Sequence, residues 1–242
     1  MKNLILLALL FCFGIMTAQE LDGAWKLIEK DGKAVNDREV IKIIQDGYFA
    51  LGSKNLSDDE FLGAAGGELS LKDETLTEKR DFDTYDPEKI GAEHEYNIFW
   101  EGDNKMEISD GITTKIWERV ADKTDALTGT WVITGRERDG EMNTMTPGDR
   151  RTVKILSGGR FQWIAFNSAT KEFNGTGGGT YTAEDGKYIE NIEFFSRDVS
   201  RVGASLEFQY EVKNGKWHHK GKSSKGDPIY EIWSPYSEAY QK

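Results

Sequence analysis

Glu78 and Glu190 sit 112 residues apart, and each is flanked by apolar or aromatic residues at every second position. Tyr188, Glu190, Ile192 and Phe194 share one face of an extended segment, as do Leu76, Glu78, Arg80 and Phe82. A carboxylate on such a face either anchors a ligand by one charged hydrogen bond at the base of an apolar cavity, or pairs with a neighbour such as Arg80. His94 lies on the next apolar face, and Leu206, Phe208, Tyr210 and Val212 alternate on its counterpart in "SLEFQYEV". Trp163 and Tyr181 complete the candidate lining, with plain core packing as the alternative. The candidate ligand-binding set is therefore Glu78, Arg80, His94, Trp163, Tyr181, Glu190, Phe194 and Tyr210.

Other chemistry finds little support. His218-His219 cannot readily share a metal ion, because adjacent strand residues point to opposite faces. No Ser lies in a Gly-x-Ser-x-Gly elbow, and three histidines offer few bases for a triad. "GTGGG" (Gly175 to Gly179) lacks the Lys-Ser/Thr of a phosphate loop and reads as a flexible turn or bulge near a rim. We expect no catalytic residues, no metal and no cofactor. An enzyme acting through Glu78, Glu190 or His94 would require a strongly shifted carboxylate within a cavity.

These positions belong to a repeat. Sliding residues 41–96 onto 153–208 without a gap gives 17 identities in 56 positions. Among them are Lys42/Lys154, Phe49/Phe161, Phe61/Phe173, Gly66/Gly178, Gly67/Gly179 and Phe82/Phe194. "LDGAWKL" (Leu21 to Leu27) and "LTGTWVI" (Leu127 to Ile133) open the two copies, which run from 21 to 120 and from 127 to 236. Turn signals recur every 8–12 residues or so, including Asp31-Gly32, Asp46-Gly47, Gly66-Gly67, Asp139-Gly140 and Asn214-Gly215. With no sustained helical period and short connections, neighbouring strands must be antiparallel. About eight strands per copy close most economically as an up-and-down barrel, which leaves no exposed edge.

The Gly-x-Trp on each first strand, Gly23-Ala24-Trp25 and Gly129-Thr130-Trp131, resembles the lipocalins and their wider calycin relatives. That resemblance implies two tandem lipocalin-like barrels, each a ligand-holding cup. It also implies that the tryptophan plugs the closed end under a basic residue from the last strand. Arg119 is placed for that role in copy one, whereas Pro235 stands at the matching position in copy two.

The N-terminus carries Lys2 and then an apolar run from Leu4 to Met16, too short to span a bilayer, which reads as a signal peptide of residues 1–18 cut near Ala18. Cleavage removes Cys12, the one cysteine, and leaves a disulfide-free chain suited to a bacterial periplasm or secretion. The net charge of −11 disfavours nucleic acid and anionic membrane surfaces, and no later segment is apolar enough to span a membrane. The reading that follows is an exported, non-enzymatic protein binding a small amphipathic ligand. Its rivals are an interaction module with filled barrels, and a barrel-type isomerase or hydrolase. The copies differ at inward positions (Arg80 against Ile192, His94 against Leu206), which suits one functional and one supporting barrel.

Overall fold

Five of the Asx-Gly pairs hold both residues at positive φ: Asp31-Gly32, Asp46-Gly47, Asp139-Gly140, Asp185-Gly186 and Asn214-Gly215. Only tight hairpin turns of the type matching strand twist need this, so these pairs set which strands become neighbours. The computed structural model describes residues 21–121, 123–223 and 226–240; the expected signal peptide lies outside them. Copy one comprises β1 (Gly23–Lys30), β2 (Lys33–Ala34), β3 (Arg38–Gln45), β4 (Tyr48–Asn55), β5 (Phe61–Lys72), β6 (Thr75–Asp83), β7 (Glu93–Trp100), β8 (Lys105–Ser109) and β9 (Thr114–Ala121). Copy two comprises β10 (Gly129–Arg138), β11 (Glu141–Thr144), β12 (Arg150–Ser157), β13 (Arg160–Asn167), β14 (Glu172–Glu184), β15 (Lys187–Phe195), β16 (Ser205–Lys213), β17 (Lys216–Lys222) and β18 (Pro228–Pro235), followed by the single turn α1 (Tyr236–Ala239).

In each copy the strands pair antiparallel in chain order, and the last pairs back onto the first: β9 onto β1, and β18 onto β10. The short β2 and β11 only extend the first hairpin, so each barrel closes on eight strands. The fold is thus all-β, two tandem up-and-down barrels.

Each tryptophan of the Gly-x-Trp pairs plugs one end. The indole Nε1 of Trp25 donates to the Leu21 carbonyl, and that of Trp131 to the Leu127 carbonyl, both at 2.9 Å. The Arg119 guanidinium lies 4.1 Å from the Trp25 ring centre and donates to the Asp22 carbonyl. Pro235 faces Trp131 in register, with no cation over the ring; an edge-on indole contact is common to both ends, Trp25 on Trp100 at 5.8 Å and Trp131 on Trp217 at 5.9 Å.

The central parts of the outer faces of β3–β5 and β12–β14 do not meet water; they meet each other. Ile41, Ile43, Tyr48, Ala50 and Phe82 form one buried cluster with Val132, Val153, Ile155, Ile164 and Phe166. Two contacts join residues separated by the repeat shift itself: Phe61 stacks on Phe173 with centroids 6.1 Å apart, and Ser157 donates to the Gln45 side chain at 2.8 Å. β3 faces β12, and β4 meets β15 as β13 meets β6. Equivalent surfaces touching reciprocally make this an isologous, two-fold packing within one chain.

Two expectations are corrected by the glycines of β5 and β14. Gly66-Gly67 is not a turn, and Gly175–Gly179 is not a flexible turn: both lie within long strands. Of the two readings offered for the second stretch the bulge is the one found, with register shifts beside Gly175 and at Gly178/Gly179. A Cβ at Gly67 would stand 1.9 Å from the Lys79 carbonyl oxygen, and one at Gly178 would meet the Phe194 ring at 2.7 Å. Close approach of a bulged neighbouring strand therefore demands these glycines.

At the junction, Asp22 and Asp46 lie close together, and Gln45 donates to both carboxylates. Burial, reinforced by the Asp46 charge, raises the Asp22 pKa to about 6. A carboxyl raised in the folded state stabilises at low pH and loses that contribution as pH rises through about 6. Asp22→Asn is therefore expected to gain about 1–2 kcal/mol above pH 7, after allowing for the solvent screening of a part-exposed group, and nothing near pH 3.5. Urea unfolding at the two pH values checks this; an equal effect at both would refute it.

Candidate functional site

The even-numbered residues of β3 and β12 point into the barrels, and this carries Lys42 and Lys154 inside, each almost fully buried. Lys42 pairs with Glu78, and Lys154 donates to Glu190 at 2.7 Å. The same ion pair thus stands at the heart of both barrels. In the first, Arg80 adds a bond of 2.6 Å to Glu78 and reaches Asp83 at 3.4 Å. Burial would raise the Glu78 pKa, but the Lys42 and Arg80 charges outweigh it and hold the carboxyl below its usual range. In the second, His219 faces Glu231 at 3.4 Å, and Glu231 also accepts from Arg136 at 2.6 Å and from the Trp233 indole at 3.1 Å. Burial pushes the His219 pKa down, Lys154 adds to this, and the imidazole is neutral at pH 7. Burial opposes ionisation of Glu231 as well, yet its hydrogen bond with His219 and its cationic neighbours bring it down to about 2.

Aromatic and aliphatic side chains pack around these pairs. Trp25, Phe49, Leu76 and Met106 in the first barrel, and Tyr188 and Trp217 in the second, have no accessible surface, so no water-sized void borders them. The closed-end and central layers are filled by the chain itself.

The expected site residues do not form one site. Glu78, Arg80 and His94 come together in the first barrel, with His94 opposite Glu78 in register. Trp163, Tyr181, Glu190 and Tyr210 belong to the second barrel, where Trp163 packs on Phe195 at 5.5 Å and Tyr181 on Tyr188 at 5.7 Å. Phe194 lies elsewhere. The bulge opposite Gly178/Gly179 shifts the alternation by one residue, so Phe195 points inward while Phe194 turns out over Gly52 of the first barrel. Phe82 turns out into the same interface. His218 and His219 face opposite ways, His218 outward to the Tyr230 hydroxyl at 2.9 Å. Sequence reasoning missed the two lysines as partners of the glutamates. Their identity in both copies, inside the apolar runs "VIKII" and "TVKIL", was the available signal.

An open space remains at the mouth of the second barrel, opposite Trp131. A cleft of about 240 Å³ lies there between Ile133, Met145, Pro147, Arg150, Thr152 and Ala165. The segment after β11 forms one wall, held by the Met145 amide donating to the Thr134 carbonyl. Thr152 and Ala165 are cross-strand partners, and their small side chains leave the space open.

No protein-family model matches the chain, and no curated protein matches it. Among solved structures, it is similar to an uncharacterized protein from Bacteroides eggerthii, at 20% identity and a TM-score of 0.32 over 40% of this chain and 98% of that one. It is also similar to a lipocalin-like protein from Bacteroides uniformis, at 18% identity and a TM-score of 0.33 over 41% and 98%.

Proposed function

We propose that this is a non-enzymatic binding protein whose second barrel takes the apolar end of a small amphipathic molecule into its mouth. The mouth cleft carries the reading. Its volume falls below the roughly 300–1,000 Å³ of drug-sized sites, its walls include Ile133, Met145, Pro147 and Ala165, and Arg150 offers a charge beside them. The filled layers beneath confine the ligand to the mouth rather than the barrel centre. In this reading the first barrel is a support, docked through the isologous interface. Export after cleavage near Ala18 belongs to the same proposal, and N-terminal sequencing of the protein recovered from its host tests it.

The amphipathic anion 1-anilinonaphthalene-8-sulfonate is a suitable probe. A saturable site in the second barrel is expected, with Ala165→Leu weakening binding there at least tenfold, about 1.4 kcal/mol or more, while circular dichroism is unchanged. Native mass spectrometry of host-derived protein should show a discrete extra mass that denaturation removes. Unaltered probe binding by Ala165→Leu, together with a bare mass from the host, would overturn the proposal. The filled-barrel interaction module is the reading that outcome favours. Its own support is the apolar rim of the first barrel, where Ile112 is 93% exposed on one mouth loop, Leu56 and Tyr85 are exposed on two others, and Leu62 is exposed at the start of β5.

A further inference from the structure

The charges inside the two barrels do not balance alike. In the second, Lys154 and Arg136 stand against Glu190 and Glu231, with His219 neutral, and the count closes. In the first, Lys42, Arg80 and Lys115 stand against Glu78 and Asp83. The difference arises at two positions. Arg80 replaces what is Ile192 in the other copy, and Lys115, two residues before Trp117, stands where Glu231 precedes Trp233. Lys115 forms no ion pair within 4 Å among the described residues; its charge faces those of Lys42, Arg80 and Lys30, and the one carboxylate acting on it from inside the barrel is Glu78, already paired with Lys42 and Arg80. The further carboxylates on that side, Asp110 and Asp31, stand exposed at the rim and are engaged by the amides of their own turns and of Thr114.

Donors are also left over. Arg80 is 8% exposed, yet its Nε has no partner, and neither has the buried Nε2 of His94. The Tyr96 hydroxyl stands 3.5 Å from the Arg80 guanidinium. A half-buried excess of cations over carboxylates is unfavourable, and enclosed nitrogen atoms without partners add to the cost. Lys115, His94 and Tyr96 are part-exposed, so solvent reaches this layer from the mouth.

We infer that the mouth of the first barrel is an anion site, taking one carboxylate- or phosphate-type oxyanion between Lys115, Arg80, His94 and Tyr96. The site is separate from the cleft of the second barrel and stands or falls independently of it. A single negative charge there supplies the missing counter-ion, and its oxygens accept from the donors left over. A free small anion and the headgroup of an amphiphile share this chemistry.

Calorimetric and thermal-shift titrations of the full mature chain with acetate, sulfate, phosphate and decanoate, at constant ionic strength set with a large weakly coordinating salt, test the inference. A saturable rise in melting temperature of several degrees is expected, at one equivalent per chain beyond any shared with Ala165→Leu. Lys115→Met should abolish that response, melting no lower than the wild type without anion, and Lys115→Arg should keep it. Saturation by acetate, sulfate or phosphate identifies a free anion; saturation by decanoate alone identifies a headgroup. Equal responses from wild type and Lys115→Met with all four probes, or none from either, would overturn the assignment.

Discussion

Asp81→Ala is expected to lower stability by about 3–5 kcal/mol and to separate the unfolding of the two barrels. Asp81 projects from the outer face of β6, and one of its oxygens receives Arg151 of the second barrel at 2.7 Å, with the Tyr48 and Tyr236 hydroxyls at 3.1 and 3.4 Å. The Arg151 side chain is 1% exposed, packed on Phe166, Tyr236 and Tyr240. It also donates to the Gly148 and Asp149 carbonyls, but these are neutral acceptors. Alanine thus leaves a charge enclosed without its counter-charge, which costs far more than the pair contributes. Docking weakens, and one urea transition becomes two. The double variant Asp81→Leu/Arg151→Met removes both charges and should recover to within about 1.5 kcal/mol of the wild type. A single transition and a loss below about 1 kcal/mol in Asp81→Ala would show that apolar contacts such as Phe61 on Phe173 hold the barrels together unaided.

Lys154→Met should be as damaging, by a different route. The Lys154 ammonium lies 5.1 to 5.4 Å from the Tyr188, Trp217 and Trp233 ring centres as well as on Glu190. Aromatic faces tolerate a cation and repel an anion. Losing the lysine therefore strands Glu190 in an environment hostile to its charge, at a cost of about 3–5 kcal/mol near pH 7. Lys154→Met/Glu190→Leu removes both charges and should lose less than about 1.5 kcal/mol. Denaturant unfolding at pH 7 decides the matter: a loss below about 1 kcal/mol in Lys154→Met would show the pair to be dispensable.

The fold was legible because hairpin chemistry and period-two alternation are local. Asp46-Gly47 or Asn214-Gly215 specifies a tight turn wherever it occurs, and a chain of such turns can only build an antiparallel meander. The 112-residue shift showed that the meander was built twice, and Trp25 under Arg119 was an expectation that the lipocalin resemblance of the Gly-x-Trp pairs implied. Alternation cannot see a bulge, however. One extra residue at Asp81 and at Glu193 moved Phe82 and Phe194 from the inner face to the outer one. Nor can a single copy's pattern show that its outer face is also apolar for a reason, since Ile41, Ile43 and Ala50 acquire theirs only when the second barrel covers them.

The sequence by itself determined two antiparallel barrels and their order, because turns and alternation act within a few residues. Only the tertiary structure decided what stands inside. Glu78 and Glu190 are neutralised by lysines 36 residues away, a spacing no motif announces, and barrel closure is what brings them together. The same closure leaves Lys115 without an ion-pair partner within 4 Å and a cleft beside Ala165, because both depend on which strands end up across the barrel from one another.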